Sequence, residues 1–139
     1  MYTLTTNASF DSAHFLLGYE GKCSNIHGHR WKVEIEVGKS ALEEAGQNKG
    51  MIIDFSDFKQ DLKKIVDAMD HCLIIEKNSL KAKTLEALLE ENFKIIEVDF
   101  RPTAENFAKF FYGEMTKKNY NIVKATVYET PNNCASYYE

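Results

Sequence analysis

The sequence predicts an α+β fold in which an antiparallel sheet is covered on one face by two helices. Three observations predict it. Two runs of period-2 alternation open the chain, two runs with helical spacing occupy its middle, and two short runs rich in β-formers close it. The resulting order, β-β-α-α-β-β, is read as a single domain over residues 1–139, a length that suffices for one core but not for two ordinary ones.

From Thr3 to Phe15, Leu4, Ala8 and Phe10 hold even positions while Thr3, Thr5, Asn7, Ser9 and Asp11 hold odd ones, the pattern of a half-buried strand. A loop with Gly18 and Gly21 follows. Trp31, Val33, Ile35 and Val37 then alternate with Lys32, Glu34 and Glu36, predicting a second strand antiparallel to the first. After a turn around Gly46 to Gly50, the spacing of Phe55, Phe58, Leu62, Ile65, Val66 and Met69 predicts a helix capped by Asp54 or Ser56 and ending near Met69.

In the Lys/Glu-rich stretch from Glu76 to Asp99, Leu85, Leu88 and Leu89 predict a short helix and Lys94 to Val98 an irregular or extended piece. Pro102 precedes a candidate N-cap, Thr103, and Phe107, Phe110, Phe111 and Met115 share one face of a second long helix ending near Asn119. Ile122 to Glu129 reads as a strand, Pro131-Asn132-Asn133 as a turn, and Cys134 to Tyr138 as the last strand.

Composition excludes several classes of function. With 44% hydrophobic and 27% charged residues the chain is globular, and a formal charge of −4 offers no basic surface for nucleic acid or an anionic membrane. No apolar run approaches membrane-spanning length and the start lacks a signal-peptide pattern, so the expected location is cytoplasmic. Cys23, Cys72 and Cys134 are odd in number and form no CxxC pair, which argues against a disulfide framework or a zinc ribbon.

Strand parity makes the histidines informative. His14 shares the even face of Ala8 and Phe10, and His27 and His29 share the odd face of Trp31 and Val33, so all three point inward. In an antiparallel hairpin the end of the first strand lies beside the start of the second, which brings the three together. Three neutral imidazoles make a poor core but match a zinc site with three protein ligands and one open position. Gly28, between two of them, is expected to permit close backbone approach. An isolated HxH is compatible with ordinary half-buried histidines, and Cys23 is the candidate fourth ligand if the site is structural instead.

Cys23-Ser24-Asn25-Ile26-His27-Gly28-His29, together with Ser12-Ala13-His14, resembles the 6-pyruvoyl-tetrahydropterin synthase / 6-carboxy-5,6,7,8-tetrahydropterin synthase family. Further landmarks occur in the family's order: Gly50 to Phe55, Met69-Asp70-His71, Pro102 to Asn106 and Tyr128-Glu129-Thr130. The resemblance spans nearly the whole chain. It implies a tunnelling fold, trimers that close their sheets into a barrel, and two trimers stacked as a homohexamer. It also implies zinc on His14, His27 and His29, Cys23 as the proton-abstracting base, Asp70 and His71 as a proton relay, and Glu129 and Thr103 at the pterin, with Glu129 also counted among the catalytic residues.

The CxxxHGH spacing resembles the bacterial queuosine-pathway branch, whereas the pyruvoyl-forming animal enzymes have a longer gap. The implied reaction is a lyase step that converts 7,8-dihydroneopterin triphosphate to 6-carboxy-5,6,7,8-tetrahydropterin, releasing acetaldehyde and triphosphate. A pyruvoyl-forming or dihydroneopterin aldolase-like activity on the same scaffold is the chemical alternative, and an assembly module with structural zinc the non-enzymatic one.

The residue types suit that chemistry. A thiolate in the polar loop between Lys22 and Ser24 is a competent base near a cation. His71 at a helix end suits acid/base work, although Asp70 and His71 also read as an ordinary helix terminus. Glu129 continues the odd apolar face of Val123, Ala125 and Val127, where a carboxylate is costly unless paired; otherwise the strand ends first and Glu129 is solvated. Lys22, Arg30 and Lys32 flank the motif and read equally as a solvated strand edge.

Overall fold

The computed structural model describes residues 1–139. Its centre is the expected hairpin, β1 (Tyr2–His14) and β2 (His27–Lys39), paired antiparallel so that Phe10 faces Trp31, Ser12 faces His29 and His14 faces His27. The inner face of this hairpin carries Phe10, Trp31, Val33, Ile35 and Val37, all buried. The outer face carries the polar residues, as the alternation requires.

Helix α1 (Phe55–Ala68) starts at Asp54, whose carboxylate accepts the Ser56 N–H at 2.6 Å, and buries Phe58, Leu62 and Val66. Two elements of the central segment come next, β3 (Cys72–Glu76) and α2 (Ala82–Glu90), then β4 (Ile95–Val98). Helix α3 (Ala104–Thr116) is capped by Thr103, whose hydroxyl accepts the Asn106 N–H at 3.3 Å, and buries Phe107, Ala108, Phe111 and Met115. Strands β5 (Ile122–Thr130) and β6 (Asn133–Tyr137) complete a six-stranded sheet ordered β4-β3-β1-β2-β5-β6.

The four antiparallel strands and two core helices are the predicted frame. The segment from Cys72 to Val98 adds to it a parallel β3-α2-β4 unit: β3 runs parallel to β1 through Ser12 to Cys72 and Ala13 to Leu73, and β4 parallel to β3. Sequence periodicity missed β3 because Cys72-Leu73-Ile74-Ile75-Glu76 does not alternate; Ile74 and Ile75 are both buried, one on each face. Since β3 meets β1 only at Ser12 and Ala13, most of β1 has a strand on one side alone.

Phe107 packs edge-on to Trp31 with ring centroids 4.9 Å apart, and Phe10 stacks on Trp31 at 6.1 Å. Full burial of such a side chain is worth about 1.5–3 kcal/mol over leaving it exposed. This aromatic layer is the floor beneath the histidines.

Candidate metal centre and its two clefts

Trp31 separates the core from the polar end of the hairpin. Its ring stands edge-on to His14 (4.9 Å between centroids) and to His29 (5.3 Å), and its indole N–H donates to the Ser12 carbonyl at 3.3 Å. Above it, one ligand atom each from His14, His27, His29 and Glu129 lie within 4.8 Å of one another. The parity reading therefore holds for all three histidines, and Glu129 joins them from β5 as a half-buried residue rather than a solvated one.

Hydrogen bonds set the tautomers. His14 Nδ1 is 2.7 Å from the Pro102 carbonyl and His27 Nδ1 is 2.7 Å from the Asn25 carbonyl. A carbonyl only accepts, so each Nδ1 carries the proton and each neutral ring turns a bare Nε2 lone pair inward. Those two Nε2 atoms stand 3.1 Å apart with no proton to share. His29 Nε2 is buried without a hydrogen-bond partner, although Glu129 Oε1 lies 3.0 Å away; the same oxygen is 3.4 Å from His14 Nε2.

The centre is thus a convergence of acceptors, which is unfavourable in itself and suited to a cation. Burial holds the pKa of His14 and of His29 below the ordinary histidine value, favouring the neutral form that binds metal.

Two clefts meet at this point and share Gly28, His29 and Arg30. One, of about 510 Å³, is polar and reaches Lys32, Tyr128, Glu129 and Thr130. The other, of about 690 Å³, runs between Arg30, His71 and Cys72 on one side and Leu88 and Phe93 on the other, so the added β3-α2-β4 unit builds one of its walls. Both fall in the size range of small-molecule sites.

Asp70 and His71 follow α1 directly. Asp70 Oδ1 accepts the Asp11 N–H at 2.7 Å, and Asp70 Oδ2 lies 2.7 Å from His71 Nδ1. The Asp11 N–H, and then His71, hold the Asp70 carboxyl below the usual carboxylate range. His71 itself has a φ of +52°, past the end of α1, with its side chain exposed.

Cys23 sits half-buried in the loop joining β1 to β2, within a short 3-10 turn (Lys22–Ser24) whose position is set by the Leu16 N–H donating to the Cys23 carbonyl at 2.9 Å. It is not among the four grouped residues; Glu129, not Cys23, completes the acceptor set. Cys72, half-buried, donates to the Met69 carbonyl at 3.0 Å, and burial pushes its thiol pKa up.

Thr103 is occupied as the α3 cap. Gly28 does not serve close approach: a Cβ there would meet only the Ser12 carbonyl at an ordinary 3.7 Å. Arg30 and Lys32 are paired with Asp11 and Glu34.

The sequence reading missed Pro102, Asn25 and Trp31 as the partners that orient the imidazoles. For Trp31 a signal existed, since it follows His29 by two on the same face. Pro102 lies 88 residues from His14 and left none.

The family model described as 6-pyruvoyl tetrahydropterin synthase matches residues 3–139. The chain is 37% identical over 142 residues to 6-carboxy-5,6,7,8-tetrahydropterin synthase of Haemophilus influenzae, covering all of both chains. It is 35% identical over 128 residues to the protein of that name from Aquifex aeolicus, covering 85% of this chain and 76% of that one. Among solved structures, an uncharacterized protein of Wolinella succinogenes superimposes with a TM-score of 0.76 at 19% identity, over 99% of this chain and 98% of the other. The 6-pyruvoyl tetrahydropterin synthase of Caenorhabditis elegans does so at 0.68 and 21%, over 99% and 95%. These structural likenesses establish the shared fold.

Proposed function

Since this chain belongs to the 6-pyruvoyl tetrahydropterin synthase family, we propose that it is a zinc-dependent lyase of the 6-carboxy-5,6,7,8-tetrahydropterin synthase branch, acting in queuosine biosynthesis. Its substrate is 7,8-dihydroneopterin triphosphate. With water, the side chain is cleaved so that the carbon on the ring ends as the 6-carboxylate and the remainder leaves as acetaldehyde and triphosphate. The observation that carries the reading is the convergence of the inward Nε2 atoms of His14, His27 and His29 beside Glu129, those of His14 and His27 left proton-free by their Nδ1 partners. The branch is supported by the CxxxHGH spacing and by the names of the relatives.

Three imidazole ligands with an open position suit zinc, which when bound acts as a Lewis acid on the side-chain hydroxyls. The protein's own residues supply the rest. Cys23, as thiolate, takes the proton from the side-chain carbon. Asp70 holds His71 by Nδ1, leaving Nε2 to pass protons between substrate and solvent. Glu129 accepts paired N–H bonds from the guanidine-like edge of the pterin, as a carboxylate does from a guanidinium. The Thr103 hydroxyl, accepting at the cap, keeps its O–H to donate to the substrate.

The working assembly in this proposal is a cytoplasmic homohexamer of two stacked trimers. Supporting it are the open flank of β1 and the edge strand β6, which offer unpaired backbone for sheet closure between copies. No helix is long and apolar enough to cross a membrane.

The test is incubation of the zinc-loaded protein with 7,8-dihydroneopterin triphosphate and identification of products. Carboxytetrahydropterin and acetaldehyde are expected; pyruvoyl-tetrahydropterin or glycolaldehyde would overturn the branch. In parallel, Cys23→Ala is expected to keep its metal and lose turnover by at least about 100-fold, the scale of general-base catalysis. Loss of zinc in that variant would instead favour a structural site.

A further inference from the structure

The outer face of the hairpin meets the Met69 to His71 turn through more contacts than a connection requires. Asp11 and Arg30 are direct cross-strand partners. Arg30 grips Asp11 with both ends of its fork, Nε to Oδ1 at 3.0 Å and Nη2 to Oδ2 at 2.9 Å. The Asp11 backbone holds the turn at two points: its N–H donates to Asp70 Oδ1 and its carbonyl accepts the His71 N–H, each at 2.7 Å. From the residue preceding β4, Lys94 Nζ donates to the Asp70 carbonyl at 3.1 Å. So restrained, His71 keeps a left-handed backbone, uncommon for a non-glycine residue.

This arrangement creates a competition. A carboxylate oxygen of Asp11, one of Asp70 and a ring nitrogen of His71 lie within 4.8 Å of one another. His71 Nδ1 in the neutral ring has a single proton to donate, and two carboxylates lie near the ring. The acceptor it has is Asp70, at 2.7 Å. The Asp11 oxygens are both taken by Arg30, in the bidentate geometry that a guanidinium makes with a carboxylate.

We infer that Arg30 is a positioning residue for the Asp70–His71 pair: by holding the Asp11 carboxylate in a bidentate ion pair it offsets the charge of a rival acceptor and leaves Asp70 as the stronger partner for His71 Nδ1. Arg30 acts on the pair through Asp11. The inference rests on the reading of Asp70 and His71 as a proton relay. The charged groups facing His71 are Asp11 from β1, Arg30 from β2, Asp70 from the turn and Lys94 from the lead-in to β4. Of these, Arg30 is the one whose removal frees a second anion.

A plain strand brace would behave differently, because either half of the ion pair would then matter equally. The experiment is a double-mutant cycle on the zinc-loaded, full-length protein with Arg30→Gln, Asp11→Asn and both together, with thermal unfolding and metal content measured on each. Arg30→Gln is expected to lower kcat by about tenfold, part of the 10²–10⁴ of general acid-base catalysis, with KM and zinc content held. Its kcat–pH profile should be displaced from that of the wild type.

Asp11→Asn, which keeps both backbone contacts, should cost less than about threefold. The double variant should recover most of the lost kcat and the original pH profile. A crystal structure of Arg30→Gln should place His71 Nδ1 within hydrogen-bond distance of Asp11.

Equal losses in the two single variants, no recovery in the double, or full activity in Arg30→Gln would overturn the inference. If the wild type fails to turn over the pterin substrate, the proposed function falls, whereas the Arg30→Gln structure still decides whether the acceptor changes.

Discussion

His29→Leu separates what the centre costs the fold from what it binds. In the metal-free protein the buried His29 Nε2 has no hydrogen-bond partner, and such an orphan costs about 1–3 kcal/mol. Leucine removes the orphan and keeps an apolar side chain of comparable bulk on Trp31. It forfeits the edge-on ring contact at 5.3 Å, worth about 0.5–1.5 kcal/mol. The metal-free variant should therefore differ from wild type by between about −0.5 and +2.5 kcal/mol, a neutral to stabilising change at a half-buried position.

Zinc reverses the order. At a free concentration of 100 Kd a single site stabilises the folded state by about 2.7 kcal/mol. For a chain of this size that raises Tm by roughly 10 °C. Differential scanning calorimetry with and without zinc should show the variant level with or above wild type in chelator, and wild type above the variant by about 0.2–3.2 kcal/mol in metal at 100 Kd. An equal zinc-induced rise in Tm for both proteins would refute the metal assignment of His29. A loss beyond about 3 kcal/mol in the metal-free variant would refute the claim that the orphaned nitrogen is a cost.

Two further outcomes follow from the same geometry. Glu129→Gln should retain zinc, as read by metal analysis, while KM for the pterin rises about 10-fold or more through loss of a charge-assisted pair; loss of metal would make Glu129 a ligand instead. Tyr120 supplies the pH test. Burial, with Asp61 accepting its hydroxyl at 2.8 Å, pushes its pKa from 10.0 up to about 12. Its raised folded value means stability present below pH 10 is lost progressively between about pH 10 and 12. Alkaline unfolding followed by circular dichroism should lose this component in Tyr120→Phe, and an unaltered alkaline limb would count against it.

Local chemistry was legible wherever one element decided it. Asp54 and Thr103 cap α1 and α3 because an acceptor before a helix satisfies its first N–H groups whatever the rest of the chain does. Alternation in β1 and β2 placed His14, His27 and His29 on one face, and the hairpin register then set His14 opposite His27. The tunnelling fold is legible through the ordered motifs, and the roles proposed for Cys23, Asp70 and His71 rest on those motifs, which single residues do not encode.

What the sequence by itself determined about this protein is the inward direction of its three histidines, because strand side chains alternate with a period of two. Tertiary structure alone decided the rest of the centre. The Pro102 carbonyl arrives on His14 from the entrance of α3 and the Met69 to His71 turn is held by Asp11, across separations that no local pattern registers, and Glu129, inward by the alternation of β5, meets His29 only through the pairing of β5 with β2. The same holds for β3, whose short apolar run has no alternation because Ile74 and Ile75 are buried on opposite faces, so only its pairing with the end of β1 and with β4 assigns it to the sheet.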